Sequence, residues 1–136
     1  MPHQPVVLSL PIADRRTSHA FYRDGLGLET VGEAAEDGVP EPLQFVLGEG
    51  VRLILVPRGG FGWVVGDRRV AEPGTSECLL GLRAATEAEV DAVVERATAA
   101  GATVPTPPGV QPWGYAGTFC DPDGHLWMIT CEPAPA

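Results

Sequence analysis

The 136-residue sequence contains no lysine, so all nine of its bases are arginines, and eighteen Asp and Glu residues outnumber them. The resulting formal charge of −9 repels a phosphate backbone, which removes nucleic acid from the expected partners. The same charge attracts a cationic small molecule, although an acidic surface is more often simply a hydrated one. Cysteine is scarce as well. Cys78, Cys120 and Cys131 show neither CxxC spacing nor an even count, which argues against a disulfide framework or a thiolate metal cage, and they read as small buried apolar residues. No apolar run approaches the ~20 residues needed to cross a bilayer, so no membrane partner is expected. The first residues, MPHQPVVLSLPIAD, lack the basic start and long apolar stretch of a secretory signal, and the expected location is the cytoplasm.

What is present suits one domain. Aliphatic and aromatic residues make up 44% of the chain, and a fold of this length buries roughly two-thirds of its unfolded surface. Alternation of Val7, Ser9 and Pro11 with Leu8, Leu10 and Ile12 predicts a half-buried strand. Asp14 caps a helix over Arg15 to Asp24, which Gly25 and Gly27 end. A short extended piece, Leu28 to Val31, precedes a polar loop, GEAAEDGVPEP. Leu43 to Leu47 and Val51 to Val56 then flank Gly48, Glu49 and Gly50 as a hairpin.

The second half repeats this order. Cys78 to Arg83 is strand-like, and Thr86 with Glu89 forms a capping box before the helical face of Val90, Val93, Val94 and Ala97. Gly101 closes that helix. An extended Ala102 to Pro105 leads into a loop, TPPGVQPWG, and Ala116 to Cys120 and His125 to Cys131 form a second hairpin around Asp121-Pro122-Asp123-Gly124. Pro57 to Ser76, rich in Gly and Arg, reads as a linker. The predicted class is α+β: one domain, 1–136, of two βαβββ modules, about 1–62 and 72–136. Neither module buries its sheet alone, so the two pair into a curved mixed β-sheet cleft with helices on the outer face.

Asp14, Phe21-Tyr22 and Gly25-Leu26-Gly27, followed by Trp113-Gly114-Tyr115, Phe119 and Asp121 to Trp127, resemble the opening and closing motifs of the vicinal oxygen chelate superfamily. That superfamily includes glyoxalase I, extradiol dioxygenases, fosfomycin-resistance enzymes and bleomycin-resistance proteins. The resemblance covers nearly the whole chain and indicates fold better than function. Its metalloenzymes hold a divalent ion with His and Glu side chains projecting into the cleft. Aligned by the resemblance, those positions fall at Val7, Ile54, Leu79 and Met128, none of which binds a hard cation. His3, His19 and His125 are badly placed to substitute. No metal and no other cofactor is expected, and no nucleophile with an activating base emerges. Asp121 and Asp123 read as turn residues rather than paired catalytic carboxylates.

An apolar concavity of this kind is a ligand pocket by its chemistry. Alternation places Ser9, Gln44, Arg52, Arg83 and Thr118 on the inner face beside Val7, Ile54, Leu79 and Met128. Phe61, Trp63, Trp113 and Tyr115 flank strand ends as loop aromatics that either stack on a planar ligand or cover a dimer interface; the two roles are compatible. The resemblance implies a homodimer with pockets near the subunit interface. The function expected is metal-free binding of a hydrophobic, aromatic or cationic natural product, resembling bleomycin-resistance proteins. The alternative is a glyoxalase- or dioxygenase-like metalloenzyme with displaced ligands. A metal-free catalyst polarising a carbonyl through Arg52 or Arg83 is a third class.

Overall fold

The computed structural model describes residues 5–132, so His3 lies outside the described residues. The chain divides into two compact units, Met1–Glu72 and Pro73–Ala136. In the first, β1 (Val6–Ile12), α1 (Arg15–Ala20), β2 (Glu29–Val31), β3 (Leu43–Gly48) and β4 (Val51–Pro57) follow in order, and a π-helical turn, Phe21–Gly25, extends α1. Asp14 starts that helix, its carboxylate accepting from the Arg16 N–H at 3.0 Å and the Thr17 hydroxyl at 2.9 Å. The sheet order is β1-β4-β3-β2, with β1 parallel to β4 and the other pairs antiparallel.

The period of two along these strands gives the sheet two unlike faces. Phe45, Leu53, Leu55 and Leu43 are buried on the face that carries the helix, together with Ile12, Phe21 and Tyr22. Tyr22 meets Phe21 edge-on at 5.0 Å and Phe45 at 5.7 Å between ring centroids. His19 is buried here too, 6.3 Å from the Phe45 ring. Arg15 pins the polar loop after β2: its guanidinium donates to Asp37 at 2.7 Å and to the carbonyls of Val39 and Pro40 at 2.9 and 2.7 Å.

The segment after β4 departs from the expected linker. Arg58–Val65 is a helix, α2, packed against β1 and β4, with the Arg58 guanidinium donating to the Ala71 carbonyl at 2.9 Å. Three glycines in eight residues disfavour a helix by propensity, and packing on the strand ends overrides it.

The second unit repeats the pattern with β5 (Leu80–Arg83), α3 (Glu87–Ala99), β6 (Thr103–Gln111), β7 (Gly114–Cys120) and β8 (Leu126–Cys131). Its strand order, β5-β8-β7-β6, with β5 parallel to β8, is the first unit's order again. Thr86 Oγ1 accepts from the Glu89 N–H at 3.1 Å, and the Glu89 carboxylate accepts from the Ala85 N–H at 3.0 Å, one residue before the position a standard capping box uses. Val90, Val93, Val94 and Ala97 are buried on α3 with Phe119, Trp127 and Ile129 of the sheet. Phe119 and Trp127 are cross-strand partners whose rings lie parallel, 6.2 Å apart.

The expected loop TPPGVQPWG is mostly strand. β6 runs to Gln111, and only Pro112 and Trp113 turn. Prolines at 105, 107 and 108 are tolerated because β6 is an edge strand with a single neighbour and shifted register around Thr106. Pro108 closes onto Gly117 so tightly that a Cβ there would sit 3.0 Å from the proline ring. Between β7 and β8 the Asp121 carboxylate accepts from the N–H groups of Asp123 and His125 at 2.9 and 2.8 Å, and Gly124 takes a φ of +87°. Cys131 is buried and Cys120 half-buried, but Cys78 is exposed ahead of β5, correcting the expectation that all three are buried. No helix among the described residues is long and apolar enough to cross a membrane.

Candidate functional site

One face of each sheet lies opposite α1 or α3, with α2 reaching the first unit's face at Val56, and the register states which side chains stand there. In the first unit Val7, Arg52, Val46 and Glu29 form one row across the four strands, and Ser9, Ile54, Gln44 and Val31 form the next. Val7 and Ser9 are exposed, whereas Arg52, Ile54, Gln44 and Val46 are half-buried. In the second unit Gly81, Met128 and Thr118 share a row, followed by Arg83, Thr130 and Ala116. Five residues of the sequence-derived set thus sit together on the first face: Val7, Ser9, Gln44, Arg52 and Ile54. Arg83, Thr118 and Met128 sit on the second, and Leu79 is exposed just ahead of β5.

Local partners alter what some of these groups offer. Arg83 is ion-paired with Glu132. The Thr118 hydroxyl accepts from the Thr106 N–H at 3.0 Å, filling in for the ladder bond that the shifted register of β6 leaves out. Tyr115 belongs to β7 rather than to a loop, and its hydroxyl donates to Asp91 of α3 at 2.7 Å, on the helix side of the sheet. That bond to a carboxylate raises the phenol above its ordinary value. Tyr115 therefore ties strand to helix, and the expectation that it overhangs the open face is corrected.

Phe61 and Trp63 also differ from their reading as loop aromatics, whereas Trp113 lies in a turn. Phe61 and Trp63 are helical, on α2, and two positions on an α-helix point about 200° apart, so they cannot present one stacking surface. Trp63 is 86% exposed and Trp113, in the β6–β7 turn, 54%. Position in the chain alone gave no sign of these partners; the helical run of Phe61 is masked by glycine, and Asp91 is distant in sequence from Tyr115.

The four positions that the resemblance assigns to metal ligands carry hydrocarbon and thioether side chains, which do not fit a hard divalent ion. Among the described residues no three His, Cys, Asp or Glu side chains gather to hold a metal. His19 lies buried beneath the opposite face from Val7 and Ile54, and burial, helped by the Arg23 charge, lowers its pKa below the ordinary imidazole value. His125 sits in the β7–β8 turn, where its N–H serves Asp121. A hard-cation centre would need oxygen or imidazole donors, and these are not gathered among the described residues.

Comparison with known proteins agrees with this architecture. A glyoxalase-related enzyme from Fulvimarina pelagi is 30% identical with a TM-score of 0.81, over 97% of this chain and 90% of that one. A hypothetical protein from S. aureus is 26% identical with a TM-score of 0.79, over 96% and 94%. TnmS3, an antibiotic binding protein from Streptomyces sp. CB03234, shares the fold at 23% identity and a TM-score of 0.66, over 98% of both chains. No curated protein matches. The family model described as Glyoxalase/Bleomycin resistance protein/Dioxygenase superfamily matches residues 5–129, through both βαβββ units, and the chain belongs to that superfamily.

Proposed function

We propose that this chain is a small-molecule binding protein without a resident metal, which sequesters an aromatic or cationic natural product and so protects its host. One observation carries the reading: Val7 and Ile54 stand on an open sheet face among Ser9, Gln44 and Arg52, and Met128 beside Thr118, where a metalloenzyme of this superfamily needs His and Glu. Such a face offers apolar area with a few polar groups, the composition of a ligand site. The antibiotic-binding role of TnmS3 is compatible with it. Burying ~300 Å² of apolar ligand at ~25 cal/mol/Å² yields about 7 kcal/mol before ordering costs, and stacking on an aromatic adds ~0.5–1.5 kcal/mol.

In the first unit the proposed binding face carries Val7, Ser9, Gln44, Arg52 and Ile54, and the second unit, taken by itself, carries Thr118 and Met128 on its own face. The exposed Trp63 and Trp113 are the natural reporters. Titration of tryptophan fluorescence with a panel of polyaromatic antibiotics, alongside elemental analysis of the purified protein, tests the proposal. Saturable quenching by a panel member without stoichiometric metal is expected. Quenching by none of them, with a stoichiometric transition metal whose removal by chelator abolishes turnover, would establish the displaced-ligand metalloenzyme instead.

A further inference from the structure

Three arginines of this chain are not fully exposed: Arg15, Arg52 and Arg58. Arg15 is held by Asp37, Glu41 and two carbonyls, and Arg58 by the Ala71 carbonyl. Arg52 alone of the three has no hydrogen-bond or ion-pair partner among the described residues. A guanidinium carries five donors in a planar fork, and none of those of Arg52 is both buried and unpartnered, so they stay available to a ligand. Its neighbours across the strands are Val7 and Val46, and Ile54 stands two residues on along the same face, so the surroundings supply hydrocarbon rather than a counter-charge. The nearest carboxylate in its row is Glu29, two strands away at ~10 Å by strand spacing, beyond contact. Ser9 and Gln44 occupy the adjacent row on either side of Ile54.

We propose that Arg52 makes this face selective for a planar aromatic anion, its fork taking a ring-borne carboxylate while Val7, Val46 and Ile54 underlie the rings and Ser9 and Gln44 bond neutral oxygens. The inference rests on the binding reading above and chooses within it: an aromatic acid, against the cation that the net charge of −9 favours. Proximity decides in the acid's favour. Scattered surface carboxylates act across a screening length of ~8 Å at physiological salt, whereas Arg52 meets the ligand in contact through charge-assisted bonds.

Three probes with one ring system separate the possibilities: anthraquinone-2-carboxylate, its carboxamide, and 2-(aminomethyl)anthraquinone as its hydrochloride. Calorimetric titration of the full chain should show the carboxylate binding roughly tenfold tighter than the carboxamide, and the ammonium weakest. R52Q should erase the carboxylate's advantage over the carboxamide, and R52K should retain part of it because a point charge lacks the fork. Equal or tighter binding of the carboxamide or the ammonium to the unaltered chain overturns the inference and leaves the binding reading standing. So does an undiminished carboxylate preference in R52Q. Failure of all three probes, with a chelator-removable stoichiometric metal present, removes both. The probe series on the unaltered chain decides even if a variant fails to fold.

Discussion

Trp127 has no solvent exposure and lies parallel to Phe119 in the middle of the second unit's core. Replacing it with alanine leaves a void that neighbouring strands close only in part, at a cost of about 3–5 kcal/mol. Against a total stability of ~5–15 kcal/mol, W127A should show a large drop in urea midpoint, and an unchanged midpoint would mean the ring is not a core element. His19 makes a different prediction. Burial, the largest influence, together with Arg23 and Arg15, lowers its folded pKa, while Asp24 and Asp37 pull the other way without prevailing. The unfolded chain therefore binds a proton more readily, and stability falls as pH drops below the ordinary imidazole value of 6.5. Urea midpoints between pH 7.5 and 5.5, roughly spanning that value, should decline for the natural chain and flatten for H19F; parallel curves would rule the imidazole out as the source. Residue identity alone disclosed neither the burial of His19 beside Phe45 nor the commitment of Tyr115 to Asp91, because both depend on contacts between elements.

Helix α3 begins where its sequence says it should, because Thr86 satisfies the Glu89 N–H and Glu89 reaches back to Ala85. T86A should cost ~1 kcal/mol, the usual worth of an N-cap side chain, while T86S should lie near the natural value. Thermal melts of the two variants check this, and equal midpoints for both would show that the cap contributes nothing. The hairpins and the Asp121–Gly124 turn were legible for a similar reason: short-range geometry and alternating pattern determine them. Two elements were not. β6 passes through three prolines and survives as an edge strand, and α2 forms from a glycine-rich run because β1 and β4 give it a surface. In both, packing from outside the segment outweighs the segment's own preference.

Taken whole, the chain builds the same strand order twice from halves whose sequences are not visibly alike. The first unit leaves a sheet edge at β1 with Val6 and Val7 exposed, next to α2 with Trp63 and Val64 exposed. Uncovered apolar edges of this kind favour association. We expect light scattering to return twice the 14.3 kDa of one chain, and the mass of a single chain would refute the homodimer.

Sequence by itself determined the βαβββ repeat, the starts of α1 and α3, the two hairpins and the apolar character of Val7, Ile54, Leu79 and Met128, since periodicity, capping and side-chain chemistry are local properties. Tertiary structure decided which polar groups are spent: Arg83 on Glu132, Tyr115 on Asp91 and the Thr118 hydroxyl on the Thr106 N–H, with Arg52 left unmatched. A hydrogen bond joins groups far apart in the chain, and only the folded register brings donor to acceptor.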